Sequence, residues 1–246
     1  MARYFIELSY NGENYCGWQK QPNAPSVQNV IEESLTKLNG NEAIEIVGCG
    51  RTDAGVHAQE YFVHFDLDKE IDAKNWAYKL NKMLPKDIAI HAIFQVSVEL
   101  HARFSAEKRT YRYFIHQTKN PFRSNLSWYY PQKLDLVQMN EAAEKLVGTK
   151  DFTSFSKLHT DVKTNICTVY NAKWYEDENG IYFEISANRF LRNMVRSIVG
   201  TLMEVGLGKQ NPSFIDIVLN AQNRQEAAVS VPAHGLYLWK IEYPTL

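Results

Sequence analysis

The stretch Tyr170-Asn171-Ala172-Lys173-Trp174-Tyr175-Glu176-Asp177-Glu178-Asn179-Gly180-Ile181-Tyr182-Phe183-Glu184-Ile185 reads as a β-hairpin. Tyr170, Ala172 and Trp174 alternate with polar neighbours, Glu176 to Gly180 supplies the turn, and Ile181, Phe183 and Ile185 alternate again. A hairpin joins antiparallel neighbours directly, whereas a doubly wound parallel sheet separates its strands with helices. The fold class is therefore α+β.

Working outward, the same signals recur on both sides. Tyr4, Ile6, Leu8 and Tyr10 alternate as a strand, and Asn11-Gly12 turns the chain. Ser26 caps a helix with Val27, Val30, Ile31, Leu35 and Leu38 on one face. Ile44 to Val47 reads as a strand and Tyr61 to Leu67 as another. Asp72 caps a helix that Pro85 stops, and Ile88 to Val96 is a further strand. In the second half, Tyr111 to His116 is a strand. Asp135 and Gln138 open a helix carrying Met139, Ala142, Ala143, Leu146 and Val147, with Gly148 at its end. After the hairpin come a helix from about Phe190 to Val205, a shorter one beyond Pro212, and a strand from Gly235 to Tyr243. The element order repeats, which predicts two similar halves, 1–104 and 105–246, with the boundary between Ser97 and Arg109.

The 246 residues carry 27 Lys+Arg and 28 Asp+Glu, a net charge of −1, with 45% hydrophobic and 22% charged residues. That composition excludes wholesale disorder and suffices for a core without staples. Three separated cysteines with no CxxC pair indicate neither a disulfide framework nor a thiolate zinc site. The N-terminus opens straight into a strand pattern and no apolar run reaches membrane-spanning length, so no membrane partner and a cytoplasmic location are expected.

Near-neutrality argues against nucleic acid only as an average. Between Arg103 and Arg123 six basic residues face one acid, a local +5; Arg189, Arg192 and Arg196 add +3 without an acid between Ser186 and Met203. The remainder carries −9. On one helix at about 100° per residue, the three arginines would share the face opposite Leu191, Met194, Val195 and Ile198. They are either a solvated face or contacts to phosphate.

The densest chemistry lies in Gly48-Cys49-Gly50-Arg51-Thr52-Asp53-Ala54-Gly55-Val56-His57-Ala58. Three glycines in eight residues between strands imply a tight turn with close backbone approach. Nearby His57, Glu60 and His64 lack a recognised ligand spacing, so no metal site is expected. Thr52 to Gly55 has the look of a nucleotide-hydrolase loop, but no GxxxxGK[ST] motif accompanies it. A second acid for paired-carboxylate work is not identifiable. Asp53 is then either a nucleophile or base, or simply an acceptor for turn amides.

Gly50 to Ala58, GRTDAGVHA, resembles the signature loop of the tRNA pseudouridine synthase A family. Four further blocks follow in family order: His101-Ala102-Arg103-Phe104-Ser105-Ala106 with Tyr111-Arg112-Tyr113, Asp151 to Phe155, Asn188 to Gly200, and Gly235-Leu236-Tyr237-Leu238. Leu100, where an aromatic is expected, and His234, where an acid is common, depart from the pattern.

The resemblance implies a cofactor-free isomerase that turns uridine into pseudouridine at positions 38, 39 and 40 of the tRNA anticodon stem-loop. Asp53 corresponds to the nucleophile, attacking a flipped-out nucleotide at the uracil ring or at the ribose. Tyr111 corresponds to the tyrosine that stacks on the target base, Arg196 to the partner that keeps the aspartate ionised, and Arg51 to the residue that fills the vacated space or holds adjacent RNA. Arg103, Lys108, Arg109, Arg112, Arg189 and Arg192 are the expected RNA backbone contacts. The resemblance also implies a pseudouridine synthase fold, two ferredoxin-like halves around a central antiparallel sheet with a cleft between them, and a homodimer. A non-enzymatic RNA-binding module and a metal-dependent hydrolase are the competing readings.

Overall fold

A computed structural model describes residues 1–157 and 163–244. The chain is α+β, with mostly antiparallel strands, and it divides into two compact units: Met1–Glu107 with Leu238–Leu246, and Lys108–Tyr237.

In the first unit the strands are β1 (Ala2–Tyr10), β2 (Val47–Gly48), β3 (His57–Leu67) and β4 (Ile88–Val96). β1 lies antiparallel between β3 and β4, with Tyr4 opposite Phe65 and Ile6 opposite Val63 and Ile93. Helix α1 (Val27–Leu38) begins at Ser26, whose hydroxyl accepts the Asn29 N–H, and α2 (Ala73–Met83) begins at Asp72, which accepts the Asn75 N–H. These are the caps the sequence predicts. The last strand, β10 (Leu236–Glu242), is the neighbour of β3. From Leu238 onward it belongs to the first unit: Glu60 Oε1 accepts the Ile241 N–H at 2.6 Å, and the Tyr243 hydroxyl donates to the Ala102 carbonyl at 2.5 Å.

The second unit orders β5 (Lys108–His116), β9 (Gly180–Ala187), β8 (Ile166–Asp177) and β7 (Gly148–Asp151) as an antiparallel series. The hairpin of the sequence reading is β8–β9, paired from Val169↔Ala187 to Asp177↔Gly180. A two-residue β6 (Trp128–Tyr129) runs parallel to β5. Trp174, Phe183, Ile185 and Tyr113 are buried; α3 (Leu136–Glu144) packs on β8, where Asn140 exchanges hydrogen bonds with the Trp174 main chain, and α4 (Met194–Gly206) and α5 (Phe214–Ala221) follow.

Three expectations need correction. Ile44 to Ile46 is not strand: the Ile44 and Ile46 N–H groups donate to Thr36 Oγ1 and Glu32 Oε1 instead of to a neighbouring strand. The α3 helix stops at Glu144, so Leu146 and Val147 lie beyond it. Most consequentially, α4 starts at Met194, not near Phe190, because Asn193 adopts a left-handed conformation at φ 66° that breaks any helix running through it. Arg189 and Arg192 therefore sit in the connection before α4, and only Arg196 is on the helix.

Candidate active site

The Asp53 loop is fixed by the last residue of β1 and the segment that follows it. Tyr10 and Thr52 share a hydroxyl–hydroxyl hydrogen bond of 2.8 Å, and the Trp18 N–H donates to the Thr52 carbonyl at 3.4 Å. The Gly55 N–H donates to the Tyr15 carbonyl, and the Gly12 N–H to His57 Nδ1 at 3.0 Å. The same segment is tied to α1, whose first two amides, Val27 and Gln28, donate to the carbonyls of Gly17 and Trp18. Donors that a helix start leaves without partners thus hold the clamp in place.

Glycine is demanded where these pieces touch. A β-carbon on Gly17, which adopts φ 92°, would lie 2.3 Å from the Thr52 carbonyl oxygen. On Gly48 it would strike the stacked rings of Trp18 and Tyr61, whose centroids are 4.1 Å apart. The Tyr61 hydroxyl donates to the Gly50 carbonyl, and the Cys49 N–H to Phe62. The Val56 N–H returns to the Asp53 carbonyl across a turn whose third residue, Gly55, has φ 77°, as a type II turn requires. Asp53 is half-buried at the start of that turn, and Arg51 is exposed beside it.

His57, Glu60 and His64, the residues considered for metal binding, each hold main chain. They accept the Gly12, Ile241 and Ala102 amides respectively.

In the second unit Tyr111 is half-buried on β5, opposite Ile185, with its ring edge-on to Phe190 at 5.0 Å. Two residues on, Tyr113 is fully buried and its hydroxyl donates to Pro232 at 2.9 Å. Gly235 lets this ring pass: a β-carbon there would sit 2.7 Å from the Tyr113 ring. Burial drives the Tyr113 phenol pKa well above its ordinary value, and the charge of Arg196 pulls it back. Arg196 Nε donates to the Val231 carbonyl at 2.8 Å, and the Val231 N–H returns to the Arg196 carbonyl. The segment bearing Val231 lies against α4 at Gly200, where a β-carbon would come within 2.0 Å of the Val229 carbonyl oxygen.

The basic residues differ in how they are held. Arg112 is ion-paired to Glu184 at 2.8 Å and lies over the Tyr182 ring at 5.0 Å. Arg109 donates to the Asn188 carbonyl at 3.1 Å. Lys108 and Arg189 are half-buried, while Arg103 and Arg192 are exposed.

A family model described as tRNA pseudouridine synthase matches residues 8–105 and 142–244. The chain belongs to the tRNA pseudouridine synthase family. It is 49% identical over 249 residues to tRNA pseudouridine synthase A of Porphyromonas gingivalis, covering 100% of this chain and 98% of that protein. The Parabacteroides distasonis tRNA pseudouridine synthase A is 51% identical over 245 residues, covering 99% and 97%, and that of Bacillus subtilis 41% over 239, covering 96% and 97%. As a pseudouridine synthase the chain is an isomerase. The match to the pseudouridine synthase family begins at Leu8, so it takes in the clamp of Tyr10 to Trp18 together with the Asp53 loop. The sequence reading missed that clamp; Gly12, Gly17 and Trp18 within seven residues were its available signal.

Proposed function

We propose that this isomerase converts uridine to pseudouridine at positions 38, 39 and 40 of the tRNA anticodon stem-loop, with Asp53 as nucleophile. The observation that carries the reading is the Asp53 loop itself: a half-buried carboxylate on a turn held by four main-chain or hydroxyl contacts from Tyr10, Gly12, Tyr15 and Trp18. An aspartate serving only to satisfy turn amides has no need of so rigid a support, whereas a nucleophile gains rate from being held in one geometry. The carboxylate attacks the extruded nucleotide at the uracil ring or the ribose anomeric carbon. The N1–C1′ bond breaks, the base turns, and C5 bonds to C1′ as the carboxylate departs. C5 then gives up its proton and N1 gains one, so no oxidant or energy source is consumed.

Tyr111 stacks on the target base, Arg196 keeps Asp53 ionised, and Arg51 holds neighbouring RNA. Arg103, Lys108, Arg109, Arg189 and Arg192 meet the phosphate backbone; Arg112 is left out because Glu184 neutralises it. Each of the two units is a ferredoxin-like half, and the working enzyme is a cytoplasmic homodimer. No helix among the described residues is long and apolar enough to cross a membrane.

The test uses tRNA tritiated at uridine C5. Wild-type protein releases tritium as C5 loses its proton, and Asp53→Asn does not. Equal release by both proteins eliminates Asp53 as nucleophile.

A further inference from the structure

The turn from His101 to Ser105 presents an aromatic ring to solvent on an unusually rigid support. Phe104 is 76% exposed. One contact is with the His101 ring, centroids 4.4 Å apart, and the Arg103 guanidinium lies 5.6 Å from the Phe104 centroid. The turn is fixed at every point. His101 Nδ1 accepts the amides of both Arg103 and Phe104, at 3.1 and 3.2 Å. The His101 N–H donates to Ser105 Oγ, and the Ser105 N–H returns to the His101 carbonyl. Ala102 is locked from both sides, its N–H on His64 Nδ1 at 3.1 Å and its carbonyl under the Tyr243 hydroxyl. Just before the turn, Arg3 donates to the carbonyls of Val98 and Leu100 while Asp66 grips its guanidinium through two 2.8 Å hydrogen bonds.

A large apolar ring left in water forfeits the stabilisation its burial would bring. The Phe104 side chain is not needed to hold the turn, whose hydrogen bonds are made by the His101 and Ser105 side chains and by main-chain groups. A flat ring with a guanidinium beside it, on a support that loses little entropy when a partner arrives, is the arrangement that stacks an unpaired nucleobase and meets its phosphate.

We propose that Phe104 is a stacking platform for a nucleobase of the bound tRNA other than the target uridine, with Arg103 on the adjoining phosphate. This rests on the tRNA reading of the preceding section and adds a residue that acts in binding, not in chemistry.

The experiment measures tRNA affinity by filter binding across a salt series, tritium release, and solution mass for wild type, Phe104→Ala, Phe104→Leu, Phe104→Trp and Arg103→Ala. The expected result is about a 10-fold loss of affinity for Phe104→Ala and Phe104→Leu with an unchanged log–log salt slope, and recovery in Phe104→Trp. Arg103→Ala lowers the slope by about 1 instead. In tritium release, Phe104→Ala raises KM and leaves kcat near wild type. Wild-type affinity in Phe104→Leu overturns the proposal, because bulk without a π-face then suffices. A changed solution mass in Phe104→Ala also overturns it, assigning the ring to a contact between copies. If wild type itself neither binds tRNA nor releases tritium, the functional reading fails first, independently of Phe104.

Discussion

Gly12 packs so closely against Val56 that a β-carbon on it would come to 2.0 Å from the Val56 carbonyl oxygen. The contact lies at the end of the Asp53 turn, one residue before His57, which accepts the Gly12 amide. Gly12→Ala must therefore push the loop or the clamp aside. Overpacking of this kind costs about 1–3 kcal/mol. We expect a folded protein by circular dichroism, destabilised by that order in urea, with tritium release down at least about tenfold, since small misplacements of reacting groups cost that much or more. Near-wild-type release would mean that the clamp does not set the position of Asp53.

Gly200 poses the same contest on a helix. Alanine in a helix interior is favoured over glycine by about 1 kcal/mol. Here, however, its β-carbon would meet the Val229 carbonyl oxygen at 2.0 Å, and main-chain atoms cannot swing away. Sterics win, so Gly200→Ala is expected to lower the urea midpoint and to loosen the Val231 carbonyl from Arg196. A raised midpoint would show that the 227–231 segment moves freely.

Arg112 separates structure from RNA binding. Its charge is matched by Glu184, a carboxylate only 20% exposed that Asn171 also approaches, at 3.4 Å. Arg112→Ala is expected to cost about 1–3 kcal/mol of stability by leaving that carboxylate short of a partner, without changing the salt slope of tRNA binding. Arg192→Ala, at an exposed position, does the reverse: stability stays level and the slope falls by about 1. Identical slopes in wild type and Arg192→Ala would remove Arg192 from the phosphate contacts.

His64 makes stability depend on pH. Burial chiefly, then the charges of Arg3 and His101, push its pKa down to about 4, against a weaker pull upward from Asp66. An unfolded imidazole titrates near ~6.5. Between those values the unfolded chain holds a proton that the folded chain refuses, so stability falls as pH drops through the window. Asp66 adds to the loss lower down, because its hydrogen bonds to Arg3 hold its carboxyl below the usual range. His64→Asn, whose Oδ1 can still take the Ala102 N–H, is expected to flatten the decline in urea midpoint from about pH 6.5 to pH 4. Parallel curves for the two proteins would assign the acid lability elsewhere.

Strand positions were legible because alternation is local. Tyr4 to Tyr10 and Ile181 to Ile185 carry their buried faces in their own spelling, and Ser26, Asp72 and Asp135 announce the helices they cap. The α4 start was not legible, since Phe190 and Leu191 continue the apolar pattern while the break depends on the backbone angle of Asn193. Ile44 and Ile46 alternate like a strand and are buried like one, but side chains of α1 take their amides. In the site, the glycines around Asp53 could be read directly. Their reason could not, because Gly17 and Gly48 are fitted to atoms of Thr52, Trp18 and Tyr61 that only folding brings near.

The return of Leu238–Leu246 to the first unit orders events during synthesis. The first 107 residues emerge from the ribosome with the place beside β3 empty, and Glu60 and Ala102 wait for Ile241 and Tyr243 until the whole second unit has been translated. At ordinary elongation rates that delay is on the order of ten seconds. A chain interrupted before Leu236 thus yields a first unit lacking β10, so the unit that bears Asp53 is completed only after the second unit has been made.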